Sequence, residues 1–327
     1  MPIIRLSDVG IEGLRPGDES SPAIGSRSRD RVRLGYARGM TSPAAFEPVS
    51  RTYVSQGLKL HYLDWGNEGA PMLLLVHGMR DHARSWDWTA RALRDDWRVI
   101  AVDLRGHGDS DWSPDGAYLS SYNLIDLAHL IDHLGCEQLT IVAHSFGGAI
   151  AARYAASFPE RVRKLVLVDG MGPGPQARET WAKQGPVART TDWMAKRRGA
   201  PPRRLRSLDE ACERMAAANP HLSSEQARHL ATHGVRPHAE GGFIWKYDPL
   251  VSVFPVEEFT VDLALVWREI AAPTLICYGP ESWTSNPKTD GRAALFRDQR
   301  TAIFEGAGHW LHHDAFDPFM AALRDFL

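Results

Sequence analysis

A β-branched apolar run that stops at a serine between small residues constrains this chain more than any other segment. Residues Thr140–Gly148 have the sequence TIVAHSFGG, and an Ala-rich segment that favours helix follows from Ala149 to Ala156. This order is typical of a strand, a sharp turn and a helix, with the hydroxyl of Ser145 at the tip of the turn. The small residues on either side of Ser145 would let neighbouring backbones approach closely. The pattern predicts a nucleophilic serine at the carboxyl end of a strand.

Length and composition are those of an ordinary globular protein. The 327 residues suffice for one large core, or for a core with an inserted subdomain. With a net charge of −2, the chain has no electrostatic basis for binding nucleic acid or a membrane surface. Its start lacks the basic and then apolar layout of a secretory signal, and no apolar run reaches the roughly 20 residues of a membrane helix. We expect a small-molecule partner, and the sequence does not indicate an oligomeric state.

Cysteine usage points to a reducing compartment. The chain has three cysteines, Cys136, Cys212 and Cys277, which are odd in number and widely scattered. Scattered cysteines without a disulfide pattern favour reduced thiols. The sequence therefore predicts a cytoplasmic protein.

Short apolar runs alternate with longer amphipathic stretches from residue 49 onward. Residues 1–48 are rich in Ser, Gly, Pro and Arg without a sustained period, and we interpret them as an N-terminal extension. The alternation predicts an α/β protein with layered helices and strands. The predicted strands are Arg51–Ser55, Leu58–Asp64, Met72–His77, Arg98–Asp103, Leu139–Ala143, Lys164–Asp169, Thr274–Tyr278 and Thr301–Glu305.

Two helices and one insertion complete the predicted organisation. Ser121–Leu134 places apolar residues on one face, with Ser120 or Ser121 as the N-cap and Gly135 as the stop; a last helix covers about 318–327. About 100 residues between the sixth and seventh strands lack strand alternation, which is too long for a loop. They contain a helix-capping pattern at Ser207–Glu210. We predict a helical cap there, called the insert below (172–262).

A histidine near the carboxyl end of the chain is the candidate partner of Ser145. A serine hydroxyl is a poor nucleophile at neutral pH and needs a base within hydrogen-bond reach. Phe304–Trp310 have the sequence FEGAGHW, in which an apolar strand ends in a Gly-rich turn that presents His309 at the edge of the sheet. His309 is therefore the predicted general base, which takes the proton from Ser145 and returns it to the leaving group.

Two backbone amides are candidates for stabilising negative charge on a carbonyl oxygen. Phe146 directly follows the predicted nucleophile and begins a helix. Met79 lies in the turn His77-Gly78-Met79 after an earlier strand, where Gly78 permits close backbone approach. We interpret His77 as a residue that fixes this turn by hydrogen bonding.

These pieces together resemble the α/β-hydrolase-fold serine hydrolases. The resemblance covers about residues 50–327 and implies an eight-stranded, mostly parallel sheet flanked by helices, with a helical cap inserted after strand six. It divides the chain into a core domain (49–171 and 263–327) and a cap (172–262). The matching segments are His77-Gly78, Asp103–Ser110, Ala143–Gly148 and Gly306–His309.

The third member of the expected triad departs from the family pattern. The resemblance implies an Asp three residues after the Gly that ends strand seven, but Ser282 occupies that position. Two carboxylates could orient the His309 ring instead: Asp169, which ends strand six at a site that some family members use, or Glu281 beside the usual position. We favour Asp169 and keep Glu281 as the alternative. Asp103 resembles the family's structural turn and is not a catalytic candidate.

The resemblance implies hydrolysis of a carboxylic ester or lactone of a small to medium, apolar substrate through an acyl-serine intermediate. Epoxide hydrolases and haloalkane dehalogenases on this fold use an Asp at the position of Ser145. C–C bond hydrolases, amidases and cofactor-free peroxidases share the serine and stay open as alternatives. A ligand receptor or sensor with slow turnover is a further alternative, to which the displaced acid gives some support.

Weaker patterns concern metals, cofactors and substrate recognition. His129 and His133 have a metal-ligand spacing, but no third ligand accompanies them, so we expect no metal site. No nucleotide-binding glycine pattern follows a strand, and we expect no cofactor. Trp86, Trp283 and Trp310 are predicted at the edge of the sheet where a ligand would lie. Five arginines of the insert form a basic run that either faces solvent or recognises a carboxylate: Arg197, Arg198, Arg203, Arg204 and Arg206.

Overall fold

An eight-stranded sheet organises the computed structural model, which describes residues 46–198, 201–255, 258 and 261–327 except for the side chains of residues 177, 181 and 182. The strands of this sheet are β1 (Val49–Ser55), β2 (Leu58–Asp64), β3 (Met72–Val76), β4 (Arg98–Val102), β5 (Leu139–His144), β6 (Val162–Val168), β10 (Thr274–Tyr278) and β11 (Gln299–Ile303). Their order across the sheet is β1-β2-β4-β3-β5-β6-β10-β11. β2 pairs antiparallel with both β1 and β4, and all other pairs in this sheet are parallel. All eight predicted strands are present, with ends shifted by a few residues.

The central strand β3 shows why these runs are continuously apolar. Every residue of Met72–Val76 is buried, with β4 on one side and β5 on the other. Its alternate side chains belong to different cores, Leu74 to the one on one face of the sheet, and Leu73 and Leu75 to the other. A parallel strand covered on both faces must be apolar at every position.

Ten α-helices lie in the described residues. They are α1 (Asp87–Leu93), α2 (Ser120–His133), α3 (Ser145–Ser157), α4 (Pro175–Lys183), α5 (Pro186–Arg197), α6 (Leu208–Ala218), α7 (Ser224–Gly234), α8 (Leu263–Glu269), α9 (Leu311–Asp314) and α10 (Phe316–Phe326). The predicted capping of α2 is wrong. Leu119 precedes the helix, and the Ser120 hydroxyl donates to the Glu258 carboxylate instead of a backbone group. Gly135, with φ +62°, follows the helix as predicted.

The insert is not purely helical. Besides α4 to α7 it contains a three-stranded antiparallel sheet in the order β7-β9-β8, from β7 (Arg204–Leu205), β8 (Val235–Pro237) and β9 (Phe243–Trp245). These strands have only two or three residues, too few to show a period of two in the sequence. The predicted cap of α6 is confirmed, because the Ser207 hydroxyl accepts from the Glu210 amide at 3.2 Å.

Some predictions about the chain as a whole stay predictions. Of the N-terminal extension, residues 1–45 lie outside the described residues, and β1 begins at Val49. The division into core and cap at residues 171/172 and 262/263 also stays a prediction. Within the described residues no helix is both long and apolar enough to cross a membrane. All three cysteines are free of disulfide bonds.

A buried carboxylate ties the end of β4 to the rest of the sheet. Asp103 accepts hydrogen bonds from the amides of Ala83 and Asp109, at 2.6 and 2.9 Å, and from Nδ1 of His61 at 2.7 Å. Burial by itself would raise the pKa of Asp103, but the hydrogen bond from His61 and the other donors outweigh it and hold the pKa well below its usual range. Asp103 therefore has the structural role that the sequence predicts.

Replacing Asp103 by Asn should lower the free energy of unfolding at pH 7 by on the order of 3 kcal/mol, because buried donors lose their charged acceptor. A carboxyl group with a depressed pKa stabilises the folded state above its unfolded pKa of about 3.9, and this stability is lost as the pH falls. In urea titrations the difference between wild type and variant should shrink as the pH falls from about 5 towards 2. Asp95→Asn, at an exposed carboxylate, is the matched control. A difference that does not change with pH would contradict this interpretation.

Candidate active site

The predicted sharp turn between strand and helix is present at Ser145. α3 begins directly after β5, and Ser145 has a φ of +52°, in the left-handed region that residues other than glycine rarely adopt. The glycines that follow Ser145 let two other backbone segments pack closely against the turn. A Cβ on Gly147 would lie 2.4 Å from the carbonyl oxygen of His77. A Cβ on Gly148 would lie 2.0 Å from that of Gly170, so a larger residue at either position would displace the turn.

The loop after β11 brings His309 to this turn. The Ser145 hydroxyl lies 2.9 Å from Nε2 of His309, although the two residues are 164 positions apart in the chain. Both side chains are partly buried. Since Nε2 accepts when the other ring nitrogen holds the proton, the contact is a hydrogen bond from Ser145 to His309. This geometry allows the imidazole to remove the hydroxyl proton.

Of the two candidate acids, the structure places Asp169 against His309. Asp169 directly follows β6, and its Oδ2 lies 2.6 Å from Nδ1 of His309. It has a φ of +46°, so a second strained residue lies at this edge of the sheet. Glu281 points elsewhere: its amide donates to the Ala307 carbonyl, and its carboxylate lies 3.4 Å from Nε2 of His221. Glu281 is therefore not positioned to orient His309.

Two hydroxyls hold the Asp169 carboxylate, and the sequence did not predict them. Ser282 donates to Oδ2 and Thr284 donates to Oδ1 at 2.6 Å. The Ser282 oxygen also lies 3.4 Å from Nδ1 of His309. The sequence did contain an indication of the contact made by Ser282, because this serine occupies the position where the family resemblance implies an Asp. The structure shows that this serine contacts the carboxylate that occupies the site in place of that Asp.

A buried histidine next to Ser145 contacts the backbone of His309. Nε2 of His144 donates to the backbone carbonyl of His309 at 2.9 Å, and its ring lies 4.8 Å from that of His312. Burial lowers the pKa of both His144 and His312 far below that of an exposed imidazole. Both rings are thus neutral near pH 7 and would not repel a positive charge on His309.

The two predicted amides have no competing acceptor. In the part of the chain that the structure describes, the N–H groups of Met79 and Phe146 form no hydrogen bond. Between them, a Cβ on Gly78 would lie 2.7 Å from Nδ1 of His144. His77 fixes this turn as predicted: its Nδ1 donates to the Gly78 carbonyl at 2.6 Å and its Nε2 accepts from an amide after β4 at 3.0 Å. Free amides beside the serine are suited to an oxyanion.

The three tryptophans predicted at this edge divide into two groups. Trp283 is 80% exposed, with its ring 4.8 Å from that of His309. Trp310 contacts the ring of His144 edge-on at 6.2 Å. The prediction for Trp86 is wrong, because it is fully buried and stacks on His312 at 4.5 Å. A loop position in the sequence does not reveal whether the side chain faces the core.

The histidines with metal-ligand spacing have other contacts. Nδ1 of His129 lies 2.8 Å from the Ser55 hydroxyl, and the ring of His133 stacks on Tyr53 at 6.1 Å. Among the described residues, three potential metal ligands converge at one place, around Asp103, whose carboxylate already accepts the hydrogen bonds described above. The absence of a metal or cofactor stays a prediction.

Comparisons with known proteins agree with this architecture. The family model described as the α/β hydrolase fold matches residues 71–316, most of the chain. An esterase of Mycobacterium tuberculosis, Rv0045c, is 31% identical over 259 residues, which cover 77% of this chain and 80% of the esterase. Epoxide hydrolase 4 of Mus musculus is 26% identical over 287 residues, or 83% of this chain and 77% of that protein.

Solved structures show the same fold. The thioesterase domain from the curacin biosynthetic pathway superposes with a TM-score of 0.75 at 23% identity, and the match covers 86% of this chain and all of that domain. At this identity the likeness concerns the fold. The serine, the imidazole and the carboxylate thus lie on a scaffold shared by many hydrolases.

Proposed function

The chain belongs to the α/β-hydrolase fold family, and from this premise we propose that it is a serine hydrolase that cleaves a carboxylic ester or lactone of a small to medium, apolar substrate. The observation that carries the proposal is the continuous chain of hydrogen bonds from Ser145 through His309 to Asp169, at 2.9 and 2.6 Å. A hydroxyl, an imidazole and a carboxylate in this order form an activated nucleophile.

The proposed reaction has two halves. Ser145 Oγ attacks the substrate carbonyl while Nε2 of His309 takes its proton, and the Met79 and Phe146 amides stabilise the oxyanion. The alcohol leaves with the proton from His309, and an acyl-serine ester remains. Water then gives a proton to His309 and attacks the acyl group; the acid departs and Ser145 recovers its proton. Asp169 holds the ring and stabilises the imidazolium throughout.

The serine distinguishes this proposal from the activity named for the epoxide hydrolase relative. Opening an epoxide through a covalent alkyl-ester intermediate requires a carboxylate nucleophile. In the epoxide hydrolases of this fold, an Asp at the turn has that role. This chain has Ser145 there. A serine attacks carbonyl carbon instead, which supports ester or lactone hydrolysis.

Other serine-dependent reactions on this fold are separated by substrate. Amidases, C–C bond hydrolases and cofactor-free peroxidases would use the same hydroxyl, so amides and ring-cleavage diketones belong in the same screen as esters. The hydrogen bond between His309 and Asp169 supports an enzyme over a slow receptor, the alternative to which the displaced acid gives some support. Sustained multiple turnover would exclude the receptor, whereas a single stoichiometric burst with tight binding would favour it.

The test is labelling with a fluorophosphonate probe, followed by an ester panel of increasing acyl length. We expect one phosphonyl group per chain, on Ser145, and multiple turnover of p-nitrophenyl esters. Prior denaturation is the control and should abolish the labelling. A folded protein that neither reacts with the probe nor turns over any ester would refute the proposal.

A further inference from the structure

The basic run of the insert divides into two groups in the structure. Three of its arginines have partners within the fold. Arg197 donates to two backbone carbonyls of the loop before α2 and stacks on a tryptophan. Arg204 lies 3.4 Å from the Glu240 carboxylate, and Arg206 lies 3.1 Å from that of Glu210. The side chains of these three arginines are thus already paired within the chain.

The remaining two arginines face a cavity. Among the described residues, the side chains of Arg198 and Arg203 form neither an ion pair nor a hydrogen bond, and both line a cavity of about 590 Å³. Arg80 and Lys196 also line it, and Lys196 is paired with the exposed carboxylate of Asp192 at 2.7 Å. No acidic residue of the described chain lines this cavity. Its volume is that of an ordinary small-ligand site.

The rest of the cavity wall is apolar and aromatic. Trp245 and Tyr247 stack in parallel planes at 6.0 Å, and prolines and aliphatic side chains complete the lining. Arg80 lies 5.8 Å from the Tyr247 ring centroid and donates to the Ser252 hydroxyl at 2.8 Å. The site thus combines an apolar surface with positive charge, which suits a ligand with an apolar body and an anionic end.

One chain adjacency and one ring contact connect the cavity with the candidate active site. Arg80 directly follows Met79, the predicted oxyanion donor, and has a φ of +61° that fixes an unusual turn there. On the other side, Val253 lines the cavity, and the ring of the next residue, Phe254, lies 5.7 Å from that of Phe146. Arg80 is therefore next in the chain to Met79, and Val253 is next to a residue whose ring contacts Phe146. Met79 and Phe146 are the two residues with free amides.

We propose that this cavity binds the anionic end of the substrate, an ester whose carboxylate or phosphate is separated from the scissile carbonyl by an apolar chain. The proposal rests on the proposed serine hydrolase function and names its substrate class. Arg198 and Arg203 are the specificity-determining residues, because their guanidinium groups can bind either anion with two hydrogen bonds. Both are exposed, so their effect is screened by salt.

The kinetic test compares p-nitrophenyl hydrogen suberate with its neutral analogue of equal length, p-nitrophenyl methyl suberate. We expect wild type to have the higher kcat/KM for the anionic ester. The double variant Arg198→Ala/Arg203→Ala should lower the anionic-to-neutral ratio of kcat/KM by about tenfold. The ratio should also fall in wild type as salt is raised. Arg204→Ala/Arg206→Ala removes the same charge from the same run and should leave the ratio unchanged.

The outcomes separate this proposal from the proposed function. If neutral esters are cleaved but the ratio is the same in both double variants, the anion site is refuted and the hydrolase stands. If no ester is cleaved, calorimetric titration of Ser145→Ala with monomethyl suberate and with hexyl phosphate tests the cavity directly and distinguishes the two anions. Binding weakened about tenfold by the Arg198/Arg203 substitutions supports the site; binding of neither ligand overturns it.

Discussion

Replacing Ser145 by Ala should lower turnover of p-nitrophenyl butyrate by a factor on the order of 10⁴ or more. The substitution removes the nucleophilic oxygen that lies 2.9 Å from His309 Nε2 and leaves the imidazole and the acid in place. The turn itself should persist, because alanine is no larger than serine and the glycines around it still allow the close approach. Initial rates with the p-nitrophenyl ester and labelling by the fluorophosphonate probe measure the effect.

A second serine on the same helix provides the control for Ser145→Ala. Ser157 ends α3 and is exposed, so Ser157→Ala should keep full turnover and full labelling. Thermal unfolding of both variants should match wild type within a few degrees. Turnover by Ser145→Ala that stays within tenfold of wild type, with a normal melting curve, would assign the chemistry to another residue.

The centre of the sheet was predictable because its strands are mostly buried. Met72–Val76 is a continuous apolar run, β5 and β6 are mostly apolar, and each of the three ends where the backbone must turn. The sequence therefore identified the strands and the residues that follow them, among them Ser145 and His309. Parallel strands bring such residues to one edge of the sheet, which is why residues distant in sequence converge there.

The insert was less predictable because its contacts are varied and some of them join residues far apart in the chain. Its three short strands have no readable period, and its basic run contains arginines with opposite surroundings. Arg204 pairs with a carboxylate 36 positions away, whereas Arg203 beside it lines a cavity without a partner among the described residues. Which of two adjacent side chains lines the cavity depends on the tertiary fold of the insert, and residue type alone does not determine it.

The proposed acid of the triad shows the same limit within the core. Asp169 and Glu281 both follow strands that end at the catalytic edge. Whether a carboxylate contacts His309 depends on the direction of its backbone. Asp169 has a left-handed φ and contacts His309. The amide of Glu281 donates to the Ala307 carbonyl instead, and its carboxylate faces His221. The sequence showed the ambiguity but not the direction.

Replacing Asp169 by Asn should lower kcat for p-nitrophenyl butyrate by on the order of 10³ to 10⁴. The amide cannot stabilise the imidazolium, and its NH₂ group can donate where the carboxylate now only accepts, so it favours the wrong tautomer of His309. Glu281→Gln is the matched control, and its kcat should stay within about twofold of wild type. Steady-state kinetics of the two variants measure the difference.

The position of Ser282 allows a stricter test of the same role. Because its oxygen lies 3.4 Å from His309 Nδ1, an aspartate at this position could supply the missing carboxylate. We expect Asp169→Asn/Ser282→Asp to recover kcat at least tenfold over Asp169→Asn, since the physical requirement is a negative charge on Nδ1 and not a particular strand. Ser282→Asp alone should not increase activity, because two adjacent carboxylates would repel and one would take up a proton. Full activity of Asp169→Asn, or a loss equal to that of Glu281→Gln, would show that the carboxylate after β6 does not orient His309.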